Sequence, residues 1–483
     1  MEKKRKKITR RSFLKGAAIT AGALSLGGIS ARMVRNHIGR DFDPARTETF
    51  LDQIVPETSP EDLPNIIVIF IDDLGYGDWT PLGSDLIKTP HLDRMANEGV
   101  TMTNFFASAP VCSASRAALL TGRYPIRSHI TLPLYPKNHH MEYLLKIVDR
   151  YQFDVTGIPE DEALVPEILK RRGYRTGIIG KWHLGDQPGH LPNDNGFDSF
   201  YGVLYSNDMG EFDVWRDQEI EISNLEDQSD LTQNYTKEAL NFIERNKDHP
   251  FFLYLAHTAV HEPLFASKEF QRSSDAGLYG DAVQEIDWSV GEVLKLISEL
   301  DLDENTLIIF TSDNGPWWQG SSGGLRGRKN NIADGGFRVP FIARWPNKLP
   351  AGRISDEFAA NFDIFSTCLS VAGAPTPEDR IIDGRNLIPT LKGETSSPHE
   401  TFFYYDGPIL VAVRHKNWKY QRRHMSDNGG YPIFSQGPFL FDIEKDPTES
   451  YNLIEAQPEV ARMLNQMLDD WETEVEDNIR GWL

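Results

Sequence analysis

The sequence is poor in cysteine, with only Cys112 and Cys368 in 483 residues. Two cysteines cannot form the disulfide framework that stabilises many small secreted domains, so the fold must depend on a buried core. A chain of this length exceeds one ordinary core, and we expect one large domain with a smaller companion. The sequence also shows no internal repeat and no low-complexity block.

Positive charge is scarce as well, because the sequence has 50 Lys and Arg residues but 71 Asp and Glu residues, which gives a formal net charge of −21. A strongly acidic surface repels nucleic acid and anionic membranes, which argues against both as the main partner. A polyanionic substrate remains compatible with this charge, since a local basic pocket can bind it.

Long apolar runs are missing from the N-terminus. The mild run from residue 17 to residue 29 is short and rich in Ala and Gly, so it does not predict a transmembrane segment. It follows Arg10-Arg11-Ser12-Phe13-Leu14-Lys15, and together they resemble a twin-arginine export signal. We therefore expect residues 1–40 to be a signal and leader read by the twin-arginine export machinery, and the protein to be periplasmic or secreted. A retained amphipathic anchor is the alternative, and residues 41–64 are interpreted as a polar leader into the first strand.

Four apolar segments end in polar residues and have the pattern of buried parallel strands. They span residues 65–71, 176–179, 251–255 and 306–311. The polar residues that follow them are Asp72 and Asp73, Lys181 and His183, His257 and His261, and Asp313 and Asn314. Ligands of open α/β sheets bind beyond the carboxyl ends of the strands, so these residues predict one common site.

Helical segments alternate with these strands, notably 163–172 and 280–300. After about residue 398 the pattern changes to short aromatic strands and then to an amphipathic helix near 458–475. We predict an α/β fold with a large mixed, mostly parallel sheet flanked by helices over residues 62–398. A smaller C-terminal domain of antiparallel sheet plus helix is predicted over residues 399–483.

Two pairs of hard oxygen donors stand at the predicted strand ends: Asp72 with Asp73, and Asp313 with Asn314. Such donors suit calcium or magnesium. Neighbouring acids on a strand point to opposite faces, so Asp72 and Asp73 can share an ion only if the strand has ended at Asp72. Either pair alone is more often a turn or a helix cap.

Residues 112–123, CSASRAALLTGR, resemble the sulfatase signature in which a cysteine is oxidised to formylglycine. Ser113 is predicted to cap a short helix that ends at Gly122, and the start of that helix would favour anions. The alternative for Cys112 is a buried free thiol or a disulfide with Cys368. The family pattern has proline where this chain has Ala114, which makes the oxygen-independent radical route a candidate for the formylglycine-generating maturation enzyme.

The resemblance runs from Asn65 to the end and is closest to the arylsulfatase A-like branch of the alkaline phosphatase superfamily. It implies hydrolysis of sulfate esters by a formylglycine hydrate assisted by one calcium ion. By the same resemblance, the calcium ligands are Asp72, Asp73, Asp313 and Asn314 together with the modified Cys112.

The resemblance also implies roles for the basic residues. Lys181 and Lys329 match the lysines that bind sulfate, although Arg326 and Arg328 lie close to Lys329 in the chain. His183 contacts the diol and is our predicted base, and His261 meets the sulfate and the leaving oxygen. Arg116 organises the diol and the metal ligands. His257 is predicted to be structural, and Asp334 stands where the family commonly has glutamate.

The expected substrate is a sulfated carbohydrate. Residues 132–153 resemble an insertion and contain His139 and His140. This segment either forms one wall of the substrate pocket or is a loop on the protein surface. The pair Trp317 and Trp318 is a rival platform for stacking a sugar. Two other functions stay open at this point: a phosphate mono- or diesterase of the same superfamily, which would normally use Ser or Thr as nucleophile, and a sulfated-glycan binding protein with unmodified Cys112.

Overall fold

The computed structural model describes residues 42–57, 63–137, 139–141, 155–422 and 437–483. The predicted export signal at 1–40 lies outside the described residues. No helix in the described part of the chain is long and apolar enough to cross a membrane.

The first described element is helix α1, Pro44–Leu51, inside the stretch that we interpreted as a polar leader. That interpretation is wrong for these residues. The Asp43 side chain accepts a hydrogen bond from the backbone N of Ala45 at 3.2 Å, and Pro44 occupies the first turn. Leu51 is buried in the main core, so a short capped helix is preferred over an extended segment.

Twelve strands precede residue 398 in the described residues. They are β1 (Asn65–Ile71), β2 (Val100–Met102), β3 (Phe105–Phe106), β4 (Arg175–Lys181), β5 (Ser199–Val203), β6 (Val214–Arg216), β7 (Glu219–Ile222), β8 (Phe251–Ala256), β9 (Thr306–Ser312), β10 (Phe341–Arg344), β11 (Arg353–Ser355) and β12 (Ala359–Ala360). Ten of them form one sheet in the order β11-β2-β10-β9-β1-β8-β4-β5-β6-β7, while β3 pairs with β12. The central strands β9, β1, β8, β4 and β5 are parallel, and β10 and β6 join them antiparallel.

Helices contribute to the apolar clusters on both faces of this sheet, and one further helix lies near the C-terminus. After α1 they are α2 (Pro90–Asn97), α3 (Cys112–Thr121), α4 (Pro125–Ser128), α5 (Val165–Arg172), α6 (Leu231–Asn246), α7 (Gly277–Glu299), α8 (Asp334–Phe337), α9 (Asp363–Val371), α10 (Ile388–Lys392) and, near the C-terminus, α11 (Pro458–Asp477). Alternate residues of β1 enter two different cores, since Ile66 packs with one apolar cluster and Ile67 with another. A strand buried on both faces must be apolar throughout, which explains the unbroken apolar run at 65–71.

The C-terminal part forms a second, antiparallel sheet of four strands. They are β13 (Thr401–Asp406), β14 (Ile409–His415), β15 (Trp418–Gln421) and β16 (Phe439–Asp442). Helix α11 packs on this sheet, with Leu464 and Leu468 buried beside Phe402 and Tyr404. The predicted fold class, a large mostly parallel sheet with a smaller antiparallel sheet and helix, is therefore confirmed. The domain boundary at 398/399 stays a prediction.

Candidate active site

Helix α3 carries Cys112 as its first residue and is buried along its whole length. The helix ends at Gly122, whose φ of 70° is a left-handed conformation that glycine adopts without strain, as predicted. The predicted cap by Ser113 is wrong, because Ser113 lies inside the helix and Val111 precedes it. The Ser113 hydroxyl instead accepts a hydrogen bond from the backbone N of Leu134 at 2.9 Å. It thereby fixes the chain that follows α4.

Strand β1 ends at Ile71, so Asp72 and Asp73 are free of the strand alternation. Asp73 has a φ of 63°, and its backbone N donates to Oδ1 of Asp313 at 3.2 Å. Asn314, which follows Asp313, donates from Nδ2 to Oδ1 of Asp73 at 2.7 Å. The two predicted pairs of oxygen donors therefore meet, as their places on adjacent parallel strands require.

Arg116 lies one turn after Cys112 and is fully buried. Its Nε and Nη2 atoms lie 3.2 Å and 2.9 Å from Oδ2 of Asp313, and Nη1 donates to the carbonyl of Lys181 at 2.9 Å. The guanidinium thus joins α3 to the ends of β9 and β4.

Both predicted lysines reach the acidic groups. The Nζ atom of Lys181 lies 2.5 Å from Oδ2 of Asp72, and that of Lys329 lies 2.8 Å from Oδ1 of Asp73. The Nζ atom of Lys329 is also 3.3 Å from Sγ of Cys112, and that Sγ is 3.3 Å from Oδ1 of Asp72. Arg328 is directed elsewhere, since its Nη1 donates to the carbonyl of Trp317 at 2.9 Å.

The two predicted histidines have different surroundings. His183 is buried, its Nε2 lies 3.0 Å from the carbonyl of Leu134, and its Nδ1 has no hydrogen-bond partner among the described residues. The Nε2 atom of His261 lies 3.8 Å from Oδ2 of Asp73. His257 is buried away from these groups and contacts the hydroxyl of Ser289 at 3.2 Å, consistent with a structural role.

Burial and charge set the protonation of this cluster. Burial raises the pKa of Asp72, but the combined charges of Lys181, His261, Arg116 and Lys329 outweigh burial and hold the pKa well below its usual range. Burial and the charge of Asp72 raise the pKa of Asp313 to about 7. Burial and nearby carboxylates raise the pKa of the Cys112 thiol. Burial and the charge of Lys181 lower the pKa of His183 well below its ordinary value, which favours the neutral imidazole.

The donor set fits a hard divalent cation. Single ligand atoms of Asp72, Asp73, Cys112 and His261 lie within 4.8 Å of one another. The Oδ1 atom of Asn314 is buried and accepts no hydrogen bond from the described residues, so it is available as a further oxygen ligand.

Sequence reasoning missed Asp78, which holds two loops of the site together. Its Oδ2 accepts from the backbone N of Gly75 at 3.0 Å, and its Oδ1 accepts from the backbone N of Ser321 at 2.7 Å. A lone acid after Gly77 has no signal of its own in the sequence. The Leu134 carbonyl that orients His183 was also missed, because any residue can supply a backbone carbonyl.

The sequence pattern of the sulfatase family, described simply as "Sulfatase", matches residues 64–374, which is more than half of the 483 residues. The chain belongs to the sulfatase family. A second family pattern, described as "N-sulphoglucosamine sulphohydrolase, C-terminal", matches residues 328–476 of this sulfatase.

Named sulfatases resemble the chain over most of its length. Human N-acetylgalactosamine-6-sulfatase is 38% identical over 449 residues, covering 84% of this chain and 84% of the relative. Human steryl-sulfatase is 35% identical over 518 residues, covering 84% and 86%. The solved structure of Ps i-CgsB in complex with k-i-k-neocarrahexaose has a TM-score of 0.73 and 28% identity, covering 85% of this chain and 93% of that one. This sulfatase is a sulfuric ester hydrolase, which confirms the family and the reaction class predicted from the sequence.

The predicted specificity segment, residues 132–153, lies partly outside the described residues. In its described part, the ring of Tyr135 stacks on His139 with centroids 5.0 Å apart, and His140 lies 4.3 Å from His139. The alternative stacking platform is the pair Trp317 and Trp318. Trp318 is 56% exposed, and the centroid of its ring lies 5.7 Å from the guanidinium carbon of Arg328. Both aromatic groups stay candidates for a substrate contact.

Proposed function

We propose that this sulfatase is an exported enzyme that hydrolyses sulfate esters of a carbohydrate, using a formylglycine made from Cys112 and one bound calcium ion. The position of Cys112 carries the proposal. Its Sγ atom stands at the buried start of α3, 3.3 Å from Oδ1 of Asp72 and 3.3 Å from Nζ of Lys329. A group at this point contacts both a carboxylate that can hold a cation and an ammonium that can bind an anion.

A hydrated formylglycine at position 112 supplies one hydroxyl to attack sulfur and a second whose deprotonation releases sulfate and restores the aldehyde. A thiol has no second hydroxyl. The thiol of Cys112 is moreover disfavoured as a thiolate, because burial and the charges of Asp313 and Asp72 raise its pKa. A formylglycine-generating enzyme is therefore a required partner.

Asp72, Asp73, Asp313 and Asn314 would hold calcium together with the oxygen at position 112. The ion would polarise the sulfate and acidify the attacking hydroxyl. Arg116 supports this arrangement from outside, since its bonds to Oδ2 of Asp313 fix the carboxylate while Oδ1 accepts from the backbone N of Asp73.

The charges at the site explain how an acidic protein can bind an anion. Three buried carboxylates contact three cationic side chains: Asp72 with Lys181, Asp73 with Lys329, and Asp313 with Arg116. A divalent cation bound to the carboxylates would add two positive charges to this balanced set. The ammonium groups of Lys181 and Lys329 would then be available for the sulfate group, which would offset the excess charge.

His183 is the proposed base, and its hydrogen bond identifies the reacting nitrogen. The Leu134 carbonyl can only accept, so Nε2 of His183 carries the hydrogen. In the neutral ring Nδ1 then holds a free lone pair. This atom is buried without a partner among the described residues, so it can accept the proton of the second hydroxyl.

His261 is proposed to serve the leaving group. Its Nδ1 lies 2.6 Å from the carbonyl of Glu262, which can only accept, so Nδ1 carries a hydrogen. The opposite atom, Nε2, faces Asp73 at 3.8 Å and lies on the side of the nucleophile. A second proton at Nε2 would make the ring an imidazolium, and transfer of that proton to the leaving oxygen would return the ring to its neutral form. Burial and the charge of Lys329 lower the pKa of His261, which favours this release of the proton.

A carbohydrate substrate is supported by the relative named for N-acetylgalactosamine and by the similar structure that holds k-i-k-neocarrahexaose. The similarity to steryl-sulfatase supplies the competing substrate class, a small apolar sulfate. The Arg10-Arg11 motif supports export by the twin-arginine machinery. Loss of transport after replacing both arginines by lysine, seen by fractionation in the native host, is the expected result.

Mass spectrometry of the protein from its native host tests the reaction directly. We expect a peptide with formylglycine at position 112, bound calcium, and turnover of sulfate esters that disappears in Cys112→Ala. Turnover by a protein whose Cys112 is wholly unmodified would contradict the formylglycine proposal. Sulfated-glycan binding without turnover would favour the binding-protein alternative.

A further inference from the structure

A buried ion cluster on the C-terminal sheet contacts the segment that carries Lys329. Lys419, on β15, is fully buried. Its Nζ atom lies 2.7 Å from Oδ1 of Asp334 and 3.2 Å from Oε1 of Glu449. Tyr404 completes the group, with its ring 4.1 Å from Nζ of Lys419 and its hydroxyl 3.1 Å from Oδ1 of Asp334. We call Lys419, Asp334, Glu449 and Tyr404 the Lys419 cluster.

The Lys419 cluster holds both ends of residues 326–334. At the far end, the backbone N of Asp334 donates to Oε1 of Glu449 at 2.7 Å, and the carbonyl of Ile332 accepts from Nζ of Lys419 at 2.9 Å. At the near end, Nη1 of Arg326 donates to the carbonyl of Glu449 at 3.0 Å. One residue of the C-terminal part, Glu449, therefore contacts both ends of the segment.

Lys329 lies in the middle of this segment, and the neighbouring backbone is held against the site. The backbone N of Lys329 donates to the carbonyl of Pro316 at 3.0 Å, and the backbone N of Asn330 donates to the carbonyl of Pro110 at 2.9 Å. Pro110 precedes Cys112 by two residues. A shift of the segment would therefore move the Lys329 ammonium relative to the nucleophile.

The chemistry of the cluster favours positioning over simple packing. One ammonium and two carboxylates are held out of water here, and such burial carries a desolvation cost that an apolar side chain of the same size would avoid. An apolar side chain could not bond the carbonyl of Ile332 or the carboxylate of Asp334. The polar groups thus fix backbone geometry that an apolar core would leave undetermined.

We propose that the Lys419 cluster is a positioning device through which the C-terminal sheet sets the sulfate affinity of Lys329. The inference rests on the proposed function, because it takes Lys329 as a sulfate ligand. Lys419 and Glu449 act through Lys329 and do not touch the substrate.

A double-mutant cycle in the full-length protein tests this coupling. Lys419→Met removes the ammonium and keeps the length of the side chain. In calorimetric titrations with inorganic sulfate at saturating calcium, we expect Lys419→Met to raise Kd about tenfold. In a Lys329→Met background, the same change should raise Kd by less than about twofold, since the lysine that it positions is gone.

Tyr404→Phe provides a milder variant if Lys419→Met does not fold. It removes only the hydroxyl bond to Asp334 and keeps the ring, so a smaller rise in Kd in the same direction is expected. The matched control is Glu162→Gln, a buried glutamate whose ion pairs within the described residues are with Arg123 at 2.8 Å and Arg480 at 3.0 Å, outside residues 326–334. It should lower Tm with sulfate Kd unchanged.

The outcomes are distinct. If Lys329→Met alone leaves sulfate Kd unchanged, the proposed role of Lys329 has failed, and the positioning inference falls with it. Two results would keep the role of Lys329 while Lys329→Met weakens sulfate binding. In the first, Lys419→Met lowers Tm and leaves the sulfate Kd unchanged, as expected for Glu162→Gln. In the second, Lys419→Met raises the sulfate Kd by the same factor in the Lys329→Met background as in the wild type. Only the positioning inference is then overturned.

Discussion

Lys329 places its Nζ atom 3.3 Å from the Sγ atom of Cys112. The same ammonium lies 2.8 Å from Oδ1 of Asp73, so it bridges the position of the nucleophile and one of the proposed metal ligands. Arg328, the neighbour that could compete for this role, is held by the carbonyl of Trp317. Lys181 contacts another proposed metal ligand in a similar way, since its Nζ atom lies 2.5 Å from Oδ2 of Asp72.

The first prediction separates the lysines from their basic neighbour. Lys329→Met and Lys181→Met should each weaken the binding of inorganic sulfate by roughly ten- to hundredfold, the loss expected for a hydrogen bond to a charged group. Arg328→Met should change it by less than about threefold. Calorimetric titration at saturating calcium measures all three, and equal losses at 328 and 329 would contradict the assignment of Lys329.

Removal of calcium should abolish turnover without unfolding the protein. The carboxylates of Asp72, Asp73 and Asp313 each contact a cationic side chain, so their charges stay compensated when a chelator takes the ion. We expect activity to return on addition of calcium and Tm to fall by only a few degrees in the chelated protein.

Asn314→Ala is the matched variant for the calcium prediction, because it deletes the unpaired Oδ1 and leaves the carboxylates in place. It should weaken calcium binding by about tenfold or more, measured with a calcium-selective electrode. Full activity in excess chelator would exclude calcium from the reaction, and an unchanged calcium affinity in Asn314→Ala would exclude Asn314 as a ligand.

Much of the fold follows from local sequence because the central strands are buried on both faces. The run at 65–71 must be apolar throughout, and its end at Asp72 was predictable from the change to acidic and glycine residues. The meeting of Asp72 and Asp313 followed from the rule that parallel strands end at one edge of the sheet. Four buried strands of the main sheet, their ends to within two residues, and the helix α11 were thus accessible from the sequence.

What the sequence did not predict involves partners that are distant along the chain or supplied by the backbone. Lys419 and Asp334 are 85 residues apart, and neither stands in a recognisable pattern with the other. The carbonyl of Leu134 orients His183 across 49 residues, and a carbonyl has no sequence signal. Ser113 was misassigned because a serine near a helix start usually caps it, whereas here the tertiary bond to Leu134 takes its hydroxyl.

A pH series tests whether His257 is structural. Burial lowers the pKa of His257 to about 3, from an ordinary value near 6.5, so the folded protein excludes a proton that the unfolded chain binds. Its contribution to stability is therefore present above pH 6.5 and is lost as the pH falls toward 3. In His257→Gln, the deficit in unfolding free energy relative to wild type should shrink by about 1 kcal/mol per pH unit below pH 6.5.

Urea unfolding of both proteins at pH 5, 6 and 7 measures this difference, and turnover of a small sulfate ester serves as the second readout. We expect His257→Gln to retain turnover within about threefold, since the imidazole contacts Ser289 and none of the proposed metal ligands. Stability curves that run parallel at all pH values would show that folding leaves the pKa of His257 unchanged, which would contradict its burial as a neutral imidazole. A large loss of turnover at unchanged stability would make it catalytic.

The last prediction concerns the substrate and compares two aromatic groups near the site. If a sugar stacks on Trp318, which is 56% exposed and backed by the guanidinium of Arg328, Trp318→Ala should lower kcat/KM for a sulfated oligosaccharide about three- to tenfold. The double change His139→Ala and His140→Ala should act similarly if residues 132–153 form a pocket wall. A small aryl sulfate lacks the additional sugar units that either group would contact and should lose less than about twofold.

Leu278→Ala is the control, because Leu278 is another exposed apolar residue, 43% accessible, at the start of α7. The ratio of kcat/KM values for the oligosaccharide and the aryl sulfate is the quantity to compare, since it cancels any loss of folded enzyme. A lower ratio in only one variant would identify which aromatic group contacts the sugar. An unchanged ratio in both would exclude both groups from specificity, and the small apolar sulfate would then become the leading substrate class.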